Sequence, residues 1–362
     1  MNNKELNPVF LDLENAETYN TEFEKLKQQA AKDRENKGLF KVRTANQWIE
    51  QAKTRPIPKM LFGELWFENE LCILFADTNL GKSILAVQIG NSISKGEYIP
   101  GFKFEGEKQK VLYFDFELTD KQFEGRYSIK NEVQRTYENH YTFDNNFFRI
   151  EINPDAEVPE QGTFENFLNQ SLEQSIIETG AKILIIDNLT YLKNETERAK
   201  DALPLMKHLK ALKSKYNLSI LALAHTPKRD LSKPITRNDL QGSKMLINFV
   251  DSCFAIGESF KDKNTRYIKQ IKNRSTECIY DAENVAICQL DKPDNFLQFE
   301  FIDFGTESDH LKQLSEQDKE LLEQNIIELK KSNPEMSLRD IAKQLNTNQM
   351  KVKRTLDKIN EV

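Results

Sequence analysis

The chain has 362 residues, 38% of them hydrophobic and 30% charged, and a formal net charge of −6. That length suits a core of ~250 residues with small appendages, and the acidic balance excludes a uniformly basic nucleic-acid coat, so any DNA contact must rest on local patches. No apolar run approaches the ~20 residues of a membrane helix. The polar start lacks a signal-peptide pattern, so a cytoplasmic location without a membrane partner is expected. Cys72, Cys253, Cys278 and Cys288 are widely spaced, which argues against a zinc site or a disulfide framework.

Residues 1–44 are highly charged and read as an arm, with one helix over 22–34. Thr44 is suited to cap a short helix over 45–53, which Pro56 and Pro58 then end. From residue 70 short apolar runs alternate with helical spacing. Strands are expected over 71–76, 110–116, 147–152, 182–187 and 218–224, and helices over 82–94, 120–132, 164–179, 199–216 and 243–251. Fully apolar strands of this kind belong to a mostly parallel α/β sheet covered by helices on both faces. Later strands over 253–256, 265–273, 284–290 and 296–301 would extend the sheet as antiparallel hairpins. The expected units are an arm (1–44), a core (45–305), a polar linker (306–315) and a small all-α helix-turn-helix unit (316–362).

The first chemistry-bearing stretch is Ala76, Asp77, Thr78, Asn79, Leu80, Gly81, Lys82 and Ser83, between a strand and a helix. This is the context of a phosphate-binding loop. Its amides and the helix N-terminus carry partial positive charge toward a phosphate, Lys82 would reach the β- and γ-phosphates of ATP, and Ser83 would hold Mg²⁺. Alanine stands where the usual pattern has its first glycine.

Two carboxylates end apolar strands nearby. Asp187 closes the run 182–187 and is placed to act on Mg²⁺, while Glu117 follows the run 111–116 and is placed to polarise an attacking water. Asp115 competes with Glu117 for that role, from deeper in the strand.

Further residues resemble the DnaB-type hexameric helicases and the plasmid RepA-type helicases of the RecA superfamily. Glu117, Gln122 and Arg126 follow the spacing of the DnaB glutamate motif, with Leu118 and Phe123 in place of its usual methionine and leucine. The resemblance implies a RecA-like fold with Glu117 as catalytic base. His225, Lys228, Gln241, Gly242 and Ser243 are similar to a RepA-type pattern, which implies that His225 senses the γ-phosphate. Lys272 and Arg274 match a Lys-x-Arg whose members reach a neighbouring subunit's nucleotide, which implies a homo-oligomeric ring, a hexamer in that family.

Two stretches are candidates for DNA. Lys228, Arg229, Lys233 and Arg237 lie in the loop after His225, which in RecA-like rings faces a channel for single-stranded DNA. Lys351, Lys353, Arg354 and Lys358 project from the second helix of the C-terminal pattern, which would enter a duplex major groove. The reading is a ring-forming replicative helicase of a plasmid or mobile element. A non-motor, ATP-switched DNA-binding protein and a RadA-like recombination ATPase remain open beside it.

Overall fold

The computed structural model describes residues 40–157, 164–189, 191, 202–227, 229–240, 243–313, 316–345 and 347–360. The chain divides into two compact units, one ending at Ile57 and one starting at Pro58. In the first unit, α1 (Ala45–Lys53) carries the expected cap: Thr44 Oγ1 accepts from Gln47 N, and the Gln47 side chain accepts from Thr44 N. None of its residues is buried, so the expected start of the core at residue 45 moves to Pro58. Most of the charged arm, including the helix expected over 22–34, lies outside the described residues.

The second unit opens on a small hairpin, β1 (Met60–Phe62) with β2 (Trp66–Phe67). β3 (Leu71–Ala76) leads into α2 (Lys82–Lys95) and on to β4 (Val111–Asp115). α3 (Asp120–Arg126) and a hairpin, β5 (Ile129–Asn131) with β6 (Thr136–Glu138), precede β7 (Phe147–Ile150). α4 (Phe164–Thr179) precedes β8 (Ile183–Asp187), α5 (Ala202–Tyr216) precedes β9 (Ser219–His225), and α6 (Ser243–Phe249) follows. Four strands complete the sheet: β10 (Ser252–Glu258), β11 (Thr265–Lys272), β12 (Val285–Asp291) and β13 (Gln298–Gly305).

These strands form one nine-stranded sheet in the order β13-β12-β11-β10-β3-β9-β8-β4-β7. The run from β10 to β7 is parallel, and β11 to β13 add as antiparallel strands, as the apolar runs predict. The central strands β3, β4, β8 and β9 are buried on both faces. Leu71, Ile73 and Phe75 point into a core with Leu172, Leu205, Leu209 and Leu246 of α4, α5 and α6. Cys72, Leu74 and Ala76 point the other way, onto Leu85, Val87, Ile89 and Ile93 of the neighbouring core. Period-two geometry thus turns uniformly apolar strands into two cores.

Two expectations need correction. The helix predicted over 120–132 stops at Arg126. Tyr127 leaves helical geometry because its ring is drawn into an aromatic cluster, 4.8 Å from Phe123 and 5.1 Å from both Phe143 and Phe296. The linker expected over 306–315 is not free at its start. Glu307 and His310 sit in a buried 3₁₀ turn, where Glu307 pairs with Lys269 of β11 and accepts from Ile235 N at 2.7 Å. A buried, paired carboxylate belongs to the core, so the core reaches His310.

The C-terminal helices are α7 (Glu316–Ser332), α8 (Leu338–Gln344) and α9 (Gln349–Asn360). Their own small core contains Ile326, Ile341, Ala342 and Val352. Ser337 caps α8 as its sequence position suggests, and Asn348 Oδ1 accepts from Lys351 N at the start of α9. No helix of the described residues is long and apolar enough to cross a membrane.

Candidate active site

The parallel strands deliver four of the candidate residues to one edge of the sheet. Ala76 at the end of β3 is in register with His225 at the end of β9, and Asp115 at the end of β4 with Asp187 at the end of β8. This is the carboxyl edge, where open α/β sheets bind their ligands.

The loop from Ala76 to Ser83 is shaped by two residues in the left-handed region, Asn79 (φ 62°) and Gly81 (φ 95°). Gly81 is required twice over, because a Cβ there would also lie 2.9 Å from the Phe299 ring of β13. Gln88 of α2 donates to Phe299 O at 3.0 Å and accepts from Phe299 N at 2.9 Å, which ties the helix behind the loop to the edge strand. Gly81 offers α2 no side-chain cap, so the first amides of the helix keep their hydrogens for a ligand.

Lys82 is buried and, among the described residues, forms no ion pair. Its three protons go to Ala76 O (3.1 Å), Asp77 O (3.0 Å) and His225 Nδ1 (3.2 Å). Burial pushes its pKa down, against the pull of Asp187, Glu117 and Asp77. Beside it Thr226 Oγ1 is buried without a hydrogen-bond partner, while Thr226 N donates to Ala76 O at 3.1 Å. A cation resting on neutral acceptors, uncapped helix amides and an orphaned hydroxyl together fit a phosphate group.

His225 joins the lysine to the base candidate. An ammonium has only protons to offer, so Nδ1 accepts and Nε2 carries its hydrogen toward Glu117 Oε1, 3.5 Å away. Asn188, which belongs to no motif of the sequence, donates to Glu117 Oε1, and its Nδ2 lies 3.3 Å from His225 Nε2. Its only sequence signal is its place directly after the strand-ending Asp187. The Glu117 carboxyl is held below its usual range chiefly by the His225 hydrogen bond, so it is ionised at neutral pH.

Asp187 is almost fully buried, and its carboxyl is pushed up to about 6 by that burial. Hydrogen bonds from Ser83 and from Tyr113 OH, at 2.8 Å, work against the rise. Among the described residues no group of three or more His, Cys, Asp or Glu could hold a metal by itself. A Mg²⁺ at Ser83 and Asp187 would therefore take the rest of its oxygens from phosphate and water, as Mg²⁺ ordinarily does.

Asp115, the competitor for the base, is fully committed elsewhere. Its Oδ1 accepts from Glu117 N at 3.2 Å and Leu118 N at 3.0 Å, and its Oδ2 takes Arg149 Nε at 2.9 Å.

A family profile described as an AAA domain matches residues 35–230, more than half of the chain. The chain belongs to the AAA domain family. It is therefore a P-loop ATPase, and the cluster of Lys82, Ser83, Glu117 and Asp187 lies within the stretch that the AAA domain covers. A search of the curated proteins returns no match. Beyond the AAA domain lie β10 to β13 and the three C-terminal helices, with Lys272 and Arg274 at the end of β11 and Lys351, Lys353 and Arg354 on α9.

Lys272 and Arg274 do not reach the nucleotide loop of their own chain. Lys272 is opposite Cys253, which is in register with Ile73 near the start of β3, about 10 Å along the strand from Ala76. Lys272 Nζ donates to Ile247 O (2.5 Å) and Val250 O (2.7 Å), capping the end of α6. Arg274 is half-exposed and holds Asp251 Oδ1 and Asn248 O, each at 3.3 Å.

The basic stretches are likewise sorted by the structure. Arg229 donates to Lys233 O at 3.1 Å and Lys233 pairs with Asp230, whereas Arg237 is exposed. Lys351, expected to face outward, sits 3.5 Å from Glu323 of α7 and is half-buried, because the α7–α9 packing brings that carboxylate beside it. Lys353 and Arg354 are exposed. Lys228, Gln241, Gly242 and the Lys358 side chain lie outside the described residues.

Proposed function

We propose that this chain is a ring-forming ATPase of the RepA/DnaB helicase kind, which couples ATP hydrolysis to movement on DNA. The observation that carries this reading is His225. Its ring touches both the phosphate-binding lysine and the base candidate, and the strand it ends feeds directly into the basic loop 226–241. A ring in that position can report the γ-phosphate to the loop, because a phosphate that recruits Lys82 must take it from His225.

In this reading Lys82 and the loop amides hold the β- and γ-phosphates, and Ser83 and Asp187 hold Mg²⁺. Glu117, kept ionised by His225 and Asn188, takes a proton from the attacking water. A Mg²⁺ held there would neutralise charge on the phosphates. Within the described pocket Lys82 is the cation nearest the loop, and Arg149 is spent on Asp115. Arg149 is thus not free to meet the charge of the transition state. In this reading Arg274, exposed at the far end of the sheet, supplies an arginine to a second copy of the chain. Lys272, half-buried against α6, acts instead by fixing that strand end. A contact between one subunit's carboxyl edge and another's opposite end is head-to-tail, which closes into a ring when the rotation allows.

The motor reading is tested by ATP turnover with and without single-stranded DNA, together with a duplex-unwinding assay. Turnover should rise with DNA and unwinding should follow. Unchanged turnover and no unwinding would leave an ATPase without a DNA motor.

A second reading is favoured by α7–α9, a three-helix unit with its own core that presents Lys353 and Arg354 on its last helix. Here ATP controls assembly and α9 binds duplex DNA. Lys353→Ala and Arg354→Ala should each weaken duplex binding and lower its salt slope by about 1, whereas Lys351→Ala, already paired with Glu323, should change it least. Titrations at several salt concentrations check this, and equal slopes in all three variants would exclude α9 as the contact.

A further inference from the structure

We propose that Arg149, on β7, is a positioning residue that sets where the Glu117 carboxylate points, acting through Asp115 and the Leu118 carbonyl. The inference rests on the assignment of Glu117 as the base.

Glu117 does not lie within regular structure. It sits in the turn between β4 and α3, where a carboxylate would ordinarily sample several positions. The turn is held on two sides. Asp115 Oδ1 takes the amides of Glu117 and Leu118, at 3.2 and 3.0 Å, and Arg149 Nη2 donates to Leu118 O at 2.7 Å. The same guanidinium fixes Asp115 by donating Nε to its Oδ2 at 2.9 Å. Amides and carbonyl of the turn are therefore referred to one rigid group on the adjacent parallel strand.

The environment makes the group hard to replace. The Asp115 side chain is 0% exposed and that of Arg149 17%. The guanidinium also lies over the Phe123 ring, 4.9 Å from its centroid, so α3 packs on the clamp as well. Its remaining nitrogen faces the exposed Glu151 at 3.3 Å. A planar fork can serve Asp115 and Leu118 O together, which a lysine's single nitrogen cannot do in the same geometry. Two separate observations, the bridging bonds and the ring stacking, converge on the Glu117 turn.

The test compares Arg149→Lys, Arg149→Gln and the double variant Arg149→Gln/Asp115→Asn, with Glu117→Gln as reference. The double variant removes the unpaired buried charge but keeps an oxygen at residue 115 for the two amides. Thermal unfolding, fluorescent-ATP binding, kcat and KM are measured for each. Misplacing the base by ~1 Å costs ~10²-fold in rate. The expected result is a kcat ~10²-fold lower in Arg149→Lys and in the double variant, with KM and ATP affinity within ~2-fold of the parent, while the double variant regains the unfolding temperature that Arg149→Gln loses. A double variant that recovers parental kcat along with its stability would show that Arg149 only balances a buried charge, and would overturn the proposal. So would parental kcat in Arg149→Lys. If Glu117→Gln itself turns over at the parental rate, the base assignment fails and the clamp's role with it, whereas a silent Glu117→Gln beside an active double variant overturns the clamp alone.

Discussion

Replacing Glu117 with glutamine is expected to cut ATP turnover by ~10²–10⁴-fold while leaving nucleotide binding in place, the usual weight of a positioned general base. The reason lies in its surroundings. The carboxylate is held ionised by His225 and Asn188 and does not contact Lys82 directly, since His225 lies between them. Glutamine keeps an acceptor for Asn188 and His225 but cannot take a proton. Asp115, the other acid on that strand, has both oxygens occupied by the Glu117 turn and Arg149, so it cannot stand in. Phosphate release and fluorescent-nucleotide binding, measured side by side, check this. Parental turnover in the variant would remove Glu117 from the chemistry.

Asp187→Asn is expected to have two opposite effects. It should abolish Mg²⁺-dependent hydrolysis, because the buried carboxylate beside Ser83 is the group suited to the metal. It should also stabilise the nucleotide-free protein at neutral pH. The Asp187 carboxyl rises from an ordinary 3.8 to about 6, chiefly through burial, so the folded state binds its proton more tightly than the unfolded state does. That contribution to stability is complete below the unfolded value and is lost as pH rises through about 6. Ionised Asp187 thus costs the folded apo protein on the order of 3 kcal/mol at neutral pH. Asparagine removes the cost and still accepts from Tyr113. The unfolding temperature of the variant should exceed the parent's at neutral pH, and the gap should narrow below about pH 5, where the parental carboxyl is protonated. A variant less stable than the parent at neutral pH would contradict the burial argument. The pairing of lost activity with gained stability is the pattern of a site that holds charge ready for a ligand.

The sheet was legible because its strands are short, wholly apolar and closed by polar residues. Each of β3, β4, β8 and β9 ends within a residue of its expected end, and that rule also brings Ala76, Asp115, Asp187 and His225 to one edge. Helix boundaries were harder to read. Phe123 and Tyr127 have helical spacing, yet Tyr127 serves an aromatic cluster built from residues far along the chain, such as Phe296, and α3 ends before it. Linker polarity misled in the same way. Glu307 looks like a solvent residue until Lys269 and the Ile235 amide arrive to pair with it.

The candidate site shows the same division. Lys82, Ser83, Glu117 and Asp187 follow from strand-loop-helix context. Asn188 and Arg149 belong to no motif, because their place depends on which strands become neighbours. β7 follows α3 and a hairpin in sequence but pairs with β4, and only that pairing puts Arg149 against Asp115. Charge alone also overcounted the basic candidates. Lys351 has a carboxylate partner and Lys272 caps α6, while Arg237, Lys353 and Arg354 are exposed and Arg274 is exposed beside Asp251.

The central claim is that ATP is hydrolysed in a pocket that a second copy of the chain completes. It is tested most directly by mixing two variants, Lys82→Ala, expected to lose its hold on the phosphates, and Arg274→Ala, expected to leave the proposed neighbouring site without its arginine. Each alone should fall by ~10³-fold or more in ATP turnover. In an equal mixture some interfaces pair an intact Arg274 with an intact Lys82, so turnover should return to a substantial fraction of the parent's. A mixture no more active than its parts, or an Arg274→Ala protein as active as the parent, would contradict a site shared between subunits.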